Sequence, residues 1–252
     1  MTESFPILEF DPTPDAFIEP ARTVKRLDVP EHCVLCFFQD VITAACADAT
    51  CVYHLVSEIG RNPVYELAIN DQRLIVIHPG VGAPLAAAFL EEVIALGCRK
   101  FIACGGAGVL MPEIAVGHVV IPTSAVRDEG TSYHYLPPSR EVPASVEAIA
   151  AIEATLEKHH VPYVTGKTWT TDAIYRETPT KVAQRRAEGC VTVEMEAAAF
   201  FAVAQFRGVT FGQLLYGGDD LSGDVWDSRE WETRTPAREK LFRLAAEACL
   251  EL

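Results

Sequence analysis

Residues 191–201 read VTVEMEAAAFF. They place two carboxylates, Glu194 and Glu196, one residue apart where a β-branched run meets an alanine-rich apolar segment. Such a pattern reads as a buried strand entering a buried helix. Burying a carboxylate without partners costs several kcal/mol, so each acid needs a reason to be there. One is served by helix capping, because acids suit a first helical turn. The second calls for a dedicated partner. A carboxylate can accept from two neighbouring hydroxyls at once, and adjacent hydroxyls are what a ribose presents.

Three other clusters have the same character: Gly80-Val81-Gly82, Gly105 to Gly108, and Gly217 to Asp220. Each closes a run that reads as a buried strand, and ligands in α/β folds collect outside the carboxyl ends of strands. Gly105 and Gly106, read as a tight turn, would let backbone N–H groups approach an anion. The CGGAG string fits neither GxGxxG nor a P-loop. Asp219 and Asp220 alone read as an Asx turn; beside the glutamate pair, one of them becomes a candidate general acid. DDLSGD lacks the calcium-loop pattern. His78, Trp169 and Tyr175 read as core residues, and Arg176 as a solvated charge. Cys33 and Cys36 have CxxC spacing, but on a strand they point to opposite faces. No second Cys/His pair follows at zinc spacing, and no metal is expected.

The elements that would position these residues alternate. Residues 1–32, Pro- and charge-rich, form an N-terminal arm. Strands are expected at 33–38, 63–70, 73–80, 100–108, 117–126, in the stretch from 162, at 191–194 and at 209–220. Helices are expected at 41–51, 83–97, 145–160, 179–188, 195–207 and 235–251. The second and third strands join around Asn70-Asp71 as a hairpin, and 127–143 reads as loop. Alternating β and α segments with buried strands imply one α/β domain, here residues 33–252.

Bulk properties narrow the function. The chain has 252 residues, 49% of them hydrophobic, and a formal charge of −14. That charge argues against a nucleic-acid partner, whose backbone is bound by Lys and Arg. No apolar run reaches the roughly 18 residues of a membrane span. The start, MTESFPILEFDPTPD, lacks the basic region and apolar core of a signal peptide. Eight scattered cysteines then read as reduced core thiols, and a cytoplasmic protein is expected.

The run HPGVGAPLAAAFLEEVIALGCRKFIACGGAG resembles the GxGxPS–helix–strand–G(T/S)xG block of the nucleoside phosphorylase superfamily. That family includes purine nucleoside and uridine phosphorylases and the methylthioadenosine/adenosylhomocysteine nucleosidases. VEMEAAAFFAVA is similar to its ribose-binding segment, and LLYGGDDLSG sits where it has a Ser-Asp base-site motif. The resemblance implies a three-layer sandwich around a central mixed β-sheet. It implies cleavage of an N-glycosidic bond with phosphate as acceptor, no cofactor, and a homo-oligomer, dimer or hexamer, as in purine salvage. It gives Glu196 the ribose hydroxyls, Met195 and Val81 the sugar wall, and Glu194 a supporting role. Asp219 would protonate a purine leaving group, with Gly218 and Ile174 beside the base.

The departures bear on the acceptor. Ala103 and Gly106 stand where the family's phosphorylases have an Arg and a Ser/Thr, Leu85 stands for the Ser/Thr after GxGxP, and Phe37-Phe38-Gln39-Asp40 replaces a Gly/Arg loop. Gly80, Gly105, Gly106 and Arg61, the last from a neighbouring subunit, remain for phosphate. Asp40 lies close to where the nucleosidases activate water, so hydrolysis is the first alternative, and a non-catalytic nucleoside-binding protein the second. No uracil-reading Gln/Arg pair occurs around Thr178 and Thr180, which leans the base toward purine.

Overall fold

The computed structural model describes residues 5–252. The first four residues of the expected arm lie outside the described residues. The rest of the arm holds a short 3-10 turn and α1 (Pro20–Thr23). It packs on the body through buried Val24 and a Leu27 N–H bond to Leu96 O.

Ten strands make one mixed sheet: β1 (His32–Cys36), β2 (Thr50–Ser57), β3 (Gly60–Ile69), β4 (Gln72–Ile77), β5 (Lys100–Val109), β6 (Val119–Asp128), β7 (Glu141–Pro143), β8 (Tyr163–Thr171), β9 (Cys190–Glu194) and β10 (Thr210–Asp220). Their order is β10-β6-β8-β9-β5-β1-β4-β3-β2, with β7 on β6. β10 also pairs with β5, so five strands close on themselves at one end. β1 runs parallel to both β4 and β5, and β5 parallel to β10. β2, β3 and β4 form an antiparallel meander. Asn70 and Asp71 turn between β3 and β4 with φ of 50° and 62°, the conformation of a type I′ hairpin turn.

Helices cover both faces, as the alternating pattern implies. The inner strands are apolar on both sides because both are buried. On one side lie α3 (Ala83–Leu96) and α6 (Ala197–Arg207), sharing a core with Cys33, Leu35, Phe101 and Phe211. On the other lie α2 (Gln39–Ala45), α4 (Val146–Lys158) and α7 (Thr235–Leu250), packed on Val34, Cys36, Ile102 and Cys104. α5 (Pro179–Ala187) precedes β9. Cys33 and Cys36 thus fall in different cores, as their strand spacing requires. No helix among the described residues is long and apolar enough to cross a membrane.

Four expectations need correction. The helix expected at 41–51 stops at Ala45, and Thr50–Ser57 is an edge strand in which Leu55 alone is buried. With little apolar alternation to mark it, that strand is faint in sequence. Gly105 to Gly108 and Gly217 lie extended inside β5 and β10 rather than in turns; β10 shifts register between Gly217 and Asp220, and Asp220 does take the expected Asx hydrogen bond, from Ser222 N–H. The tract 127–143 holds a 3-10 turn and β7. Tyr175 is exposed, whereas Trp169 is buried with its indole N–H on Asp128 Oδ2 at 3.0 Å.

Phe211 is fully buried and stacks on Phe200 at 4.8 Å between centroids and on Phe101 at 6.0 Å. It joins β10 to α6 and β5. Phe211→Ala is expected to cost about 3–5 kcal/mol. A lower denaturant midpoint at unchanged slope would report that loss; an unchanged midpoint would mean that the site collapses onto the vacancy.

Candidate active site

The junction of β9 and α6 separates the two acids. A helix begins with N–H groups that have no partner within it, and here those groups are buried. Glu194 Oε2 accepts from the N–H of Glu196 at 2.7 Å and of Ala197 at 2.6 Å. Its Oε1 accepts from the Thr170 hydroxyl of β8 at 2.6 Å, and Thr170 Oγ1 accepts from Ala198 N–H at 2.9 Å. Glu194 is therefore the helix cap, with Thr170 completing it.

Glu196 is the acid with another task. It is 5% exposed and lines a cavity of about 690 Å³. Its Oε1 accepts from the N–H of Gly82 at 2.6 Å. Gly82 holds φ of 89°, a conformation that favours glycine, and this turns its N–H toward the carboxylate. A carboxylate has about four acceptor positions, so capacity remains for a ligand. Burial pushes the carboxyls of Glu194 and Glu196 well above the ordinary range. The charge of Glu194 pushes Glu196 further; the Thr170 hydroxyl and the two backbone N–H groups pull Glu194 back.

The same cavity receives Val81, Met195, Gly105, Gly106, Ile174, Gly218, Asp219 and Asp40. Gly105 and Gly106 contribute by lacking side chains: a Cβ on Gly105 would meet the Phe37 ring at 3.0 Å, and one on Gly106 the Tyr216 ring at 3.2 Å. They form no anion-cradling turn. Gly80 also departs from its expected role, because its N–H bonds His78 Nδ1 at 3.0 Å and is not free for an anion. Arg61 lies exposed on β3, outside the cavity of its own chain.

Asp219 and Asp220 diverge. Asp220 pairs with Arg229 and accepts from Ser222 N–H at 2.7 Å, which holds its carboxyl below the ordinary range despite burial. It pins a loop, and Asp219 faces the cavity, with Trp226 Nε1 donating to its Oδ2 at 2.7 Å. Asp40 pairs with Arg238 at 3.7 Å and accepts from Thr235 at 3.4 Å.

Cavity residues that escaped the sequence reading include Glu177, Gln213, Trp231, Glu232 and Arg238. Glu177 stands three residues past Ile174, a spacing that marks it in hindsight. Gln213 is a lone amide in an apolar strand. Arg238 lies between the rings of Phe38 and Trp231, at 5.4 and 5.6 Å, with nothing local to announce it. Among the described residues, Asp40, Glu177, Glu194, Glu196, Asp219 and Glu232 face the cavity against the single cation of Arg238.

Fold and cavity thus have the form of a protein that takes a small polar molecule into an acid-lined cleft at the strand ends. Comparison with known proteins makes this specific. The chain belongs to the phosphorylase superfamily, whose family model matches residues 31–251. It is 30% identical over 179 residues to the guanosine phosphorylase of Halorubrum lacusprofundi, covering 69% of this chain and 71% of that protein. It is 30% identical over 161 residues to the uridine phosphorylase of Haemophilus influenzae, covering 58% and 64%. A uridine phosphorylase structure from Vibrio fischeri superposes with a TM-score of 0.77 at 22% identity, over 92% of this chain and 99% of that one.

Glu177 offers a pH test. Burial, then the charge of Asp219, pushes its carboxyl up to about 7. A folded-state pKa above the ordinary 4.5 favours folding when protonated. That stability is present in full below 4.5 and is lost as pH rises through about 7. Glu177→Gln cannot ionise, so its melting temperature should gain on wild type across this window and level off above it. A constant difference would mean that Glu177 is solvated like a surface glutamate.

Proposed function

We propose that this chain is a nucleoside phosphorylase, a pentosyltransferase that moves the sugar of a nucleoside, purine by preference, from its base to inorganic phosphate. The carrying observation is Glu196: a buried carboxylate, fixed by Gly82 N–H, open to the cavity and two residues beyond the acid that caps α6. In this reading it accepts from the ribose hydroxyls, with Met195 and Val81 against the sugar. The bond between the anomeric carbon and the base nitrogen breaks, and one to a phosphate oxygen forms. The sugar passes through a cationic, oxocarbenium-like state that the nearby carboxylates stabilise. The leaving base takes a proton at the end marked by Ile174, Gly218, Asp219 and Glu177. Two carboxyls with different environments supply a proton donor and a charged neighbour.

The relatives' names divide between guanosine and uridine. The acid pair favours a base with N–H groups to offer and a nitrogen to protonate, and Thr178 and Thr180 supply no uracil-reading pair. The reaction so drawn needs no metal or organic cofactor, and fits a cytoplasmic protein. A homo-oligomer, dimer or hexamer, fits the hairpin of β2 and β3. There Arg61 sits beside exposed Val56 and Ile59, a surface from which it would reach a neighbour's site.

One observation favours hydrolysis instead: six carboxylates and one arginine make a poor seat for an anion. Against it, Asp40 is held by Arg238 and Thr235. Base release from a nucleoside panel, with and without phosphate, should depend on phosphate and yield a sugar phosphate. Free sugar at a rate indifferent to phosphate would establish hydrolysis, and no release would leave a binding protein. Glu196→Gln keeps the shape but loses a charge-assisted pair, so activity should fall about 10- to 100-fold while the fold is retained. Wild-type turnover by that folded variant would remove Glu196 from the sugar.

A further inference from the structure

β10 carries Gln213 between apolar neighbours on its buried stretch, in register with Ala103 of β5. Gln213 is 1% exposed and lines the main cavity. Its amide oxygen is buried without a hydrogen-bond partner, and its amide nitrogen has none among the described residues. Native interiors rarely leave such a group unsatisfied. Ala103 is too short to reach it, and the Phe37 ring lies over the next residue on that face, Gly105. The amide therefore opens onto the cavity, and what satisfies it comes from there.

Position along the strand restricts the ligand. Asp219 lies further along β10, six residues on, which is ~20 Å of extended chain. Gln213 and the base end are thus well separated along β10, and in the reading above Glu196 serves the sugar. What remains to be held is the acceptor. A primary amide offers an acceptor oxygen and two N–H donors, so its best partner presents both a bare oxygen and an O–H. The phosphate monoanion does so. With six carboxylates facing one arginine, the cavity also selects the lower charge.

We propose that the side-chain amide of Gln213 binds the acceptor phosphate as its monoanion, away from Asp219 along β10. This rests on the phosphorylase reading above. The amide donates one N–H to an unprotonated phosphate oxygen and accepts from a P–OH. It contributes geometry without charge, so phosphate binding is weak and selective for an oxyanion that carries a proton. Sulfate, with no O–H near neutral pH, is a poor competitor.

The test begins with wild type and identifies the sugar product. Gln213→Met, of similar volume and without the amide, is then assayed with phosphate and nucleoside varied separately. The KM for phosphate should rise ~10-fold or more, while the KM for nucleoside stays within about twofold. Discrimination between phosphate and sulfate as competitors should vanish. The melting temperature should hold or rise, since an unsatisfied buried group is removed. Gln213→Asn, which retracts the amide by one methylene, should move the phosphate KM in the same direction by less, and serves if the Met variant does not fold. Free sugar as the wild-type product would overturn both the reading and the assignment. A sugar phosphate product with an unchanged phosphate KM in both variants would overturn the Gln213 assignment alone. A rise confined to the nucleoside KM would place the amide on the sugar and overturn it equally.

Discussion

The first turn of α6 brings backbone N–H groups into the protein interior, where water cannot reach them. Each needs an acceptor, and an unsatisfied one costs about 1–3 kcal/mol. Glu194 and Thr170 meet this need for residues 196, 197 and 198. Because Glu194 ends β9 and Thr170 lies on β8, the cap also fixes the helix to two strands of the sheet. Residue 196, the last before the helix proper, is thereby held at the cavity. The orientation of Glu196 follows from a structural requirement met by its neighbour, and Gly82 completes it from the start of α3. Loss of the Glu194 carboxylate would leave buried donors unpaired and release Glu196 together with α6.

Against this fixed junction the cavity keeps an unusual charge balance. Six carboxylates in a partly dry space cannot all remain ionised cheaply, because burial disfavours the charged form and like charges add to it. The outcome differs by residue. Asp220, next to the cavity but not lining it, is compensated by Arg229. Asp40 is compensated by Arg238. Glu177 has no cation among its described partners and rises toward neutrality. A site with the raised carboxyl of Glu177 at its base end, and a sugar-facing acid held by backbone N–H, suits a reaction that develops positive charge on the sugar while delivering a proton to the base.

Local signals carried much of this arrangement. The strand–acid–helix pattern of 191–201 is contiguous, and so is the Asn70-Asp71 hairpin, so periodicity and turn chemistry sufficed for both. Glycine-rich strand ends misled, because glycine usually marks a turn. At Gly105 and Gly106 the glycines answer instead to the rings of Phe37 and Tyr216, a pressure exerted across the sheet. Glu177 and Arg238 join the cavity from a 3-10 turn and the last helix, and no spacing along the chain brings them together. Gln213 had a signal, a lone amide in an apolar strand. Its meaning depends on having no partner, which only packing reveals.

The distribution of polar groups in the cavity gives its two ends different characters. At the end of β10 toward Asp219, acidic groups converge with Trp226 and backbone, a setting that exchanges protons. Toward the buried middle of β10, the wall includes Gly105, Gly106 and the rings of Phe37 and Phe38, with the amide of Gln213 unpartnered among them. A desolvated anion needs directional donors more than bulk positive potential when the surroundings are already acidic, because an added cation would pair first with a carboxylate, as Arg238 does with Asp40. A neutral amide cannot be captured in that way. In an acid-lined cavity, a donor without charge is the one that stays available to the ligand.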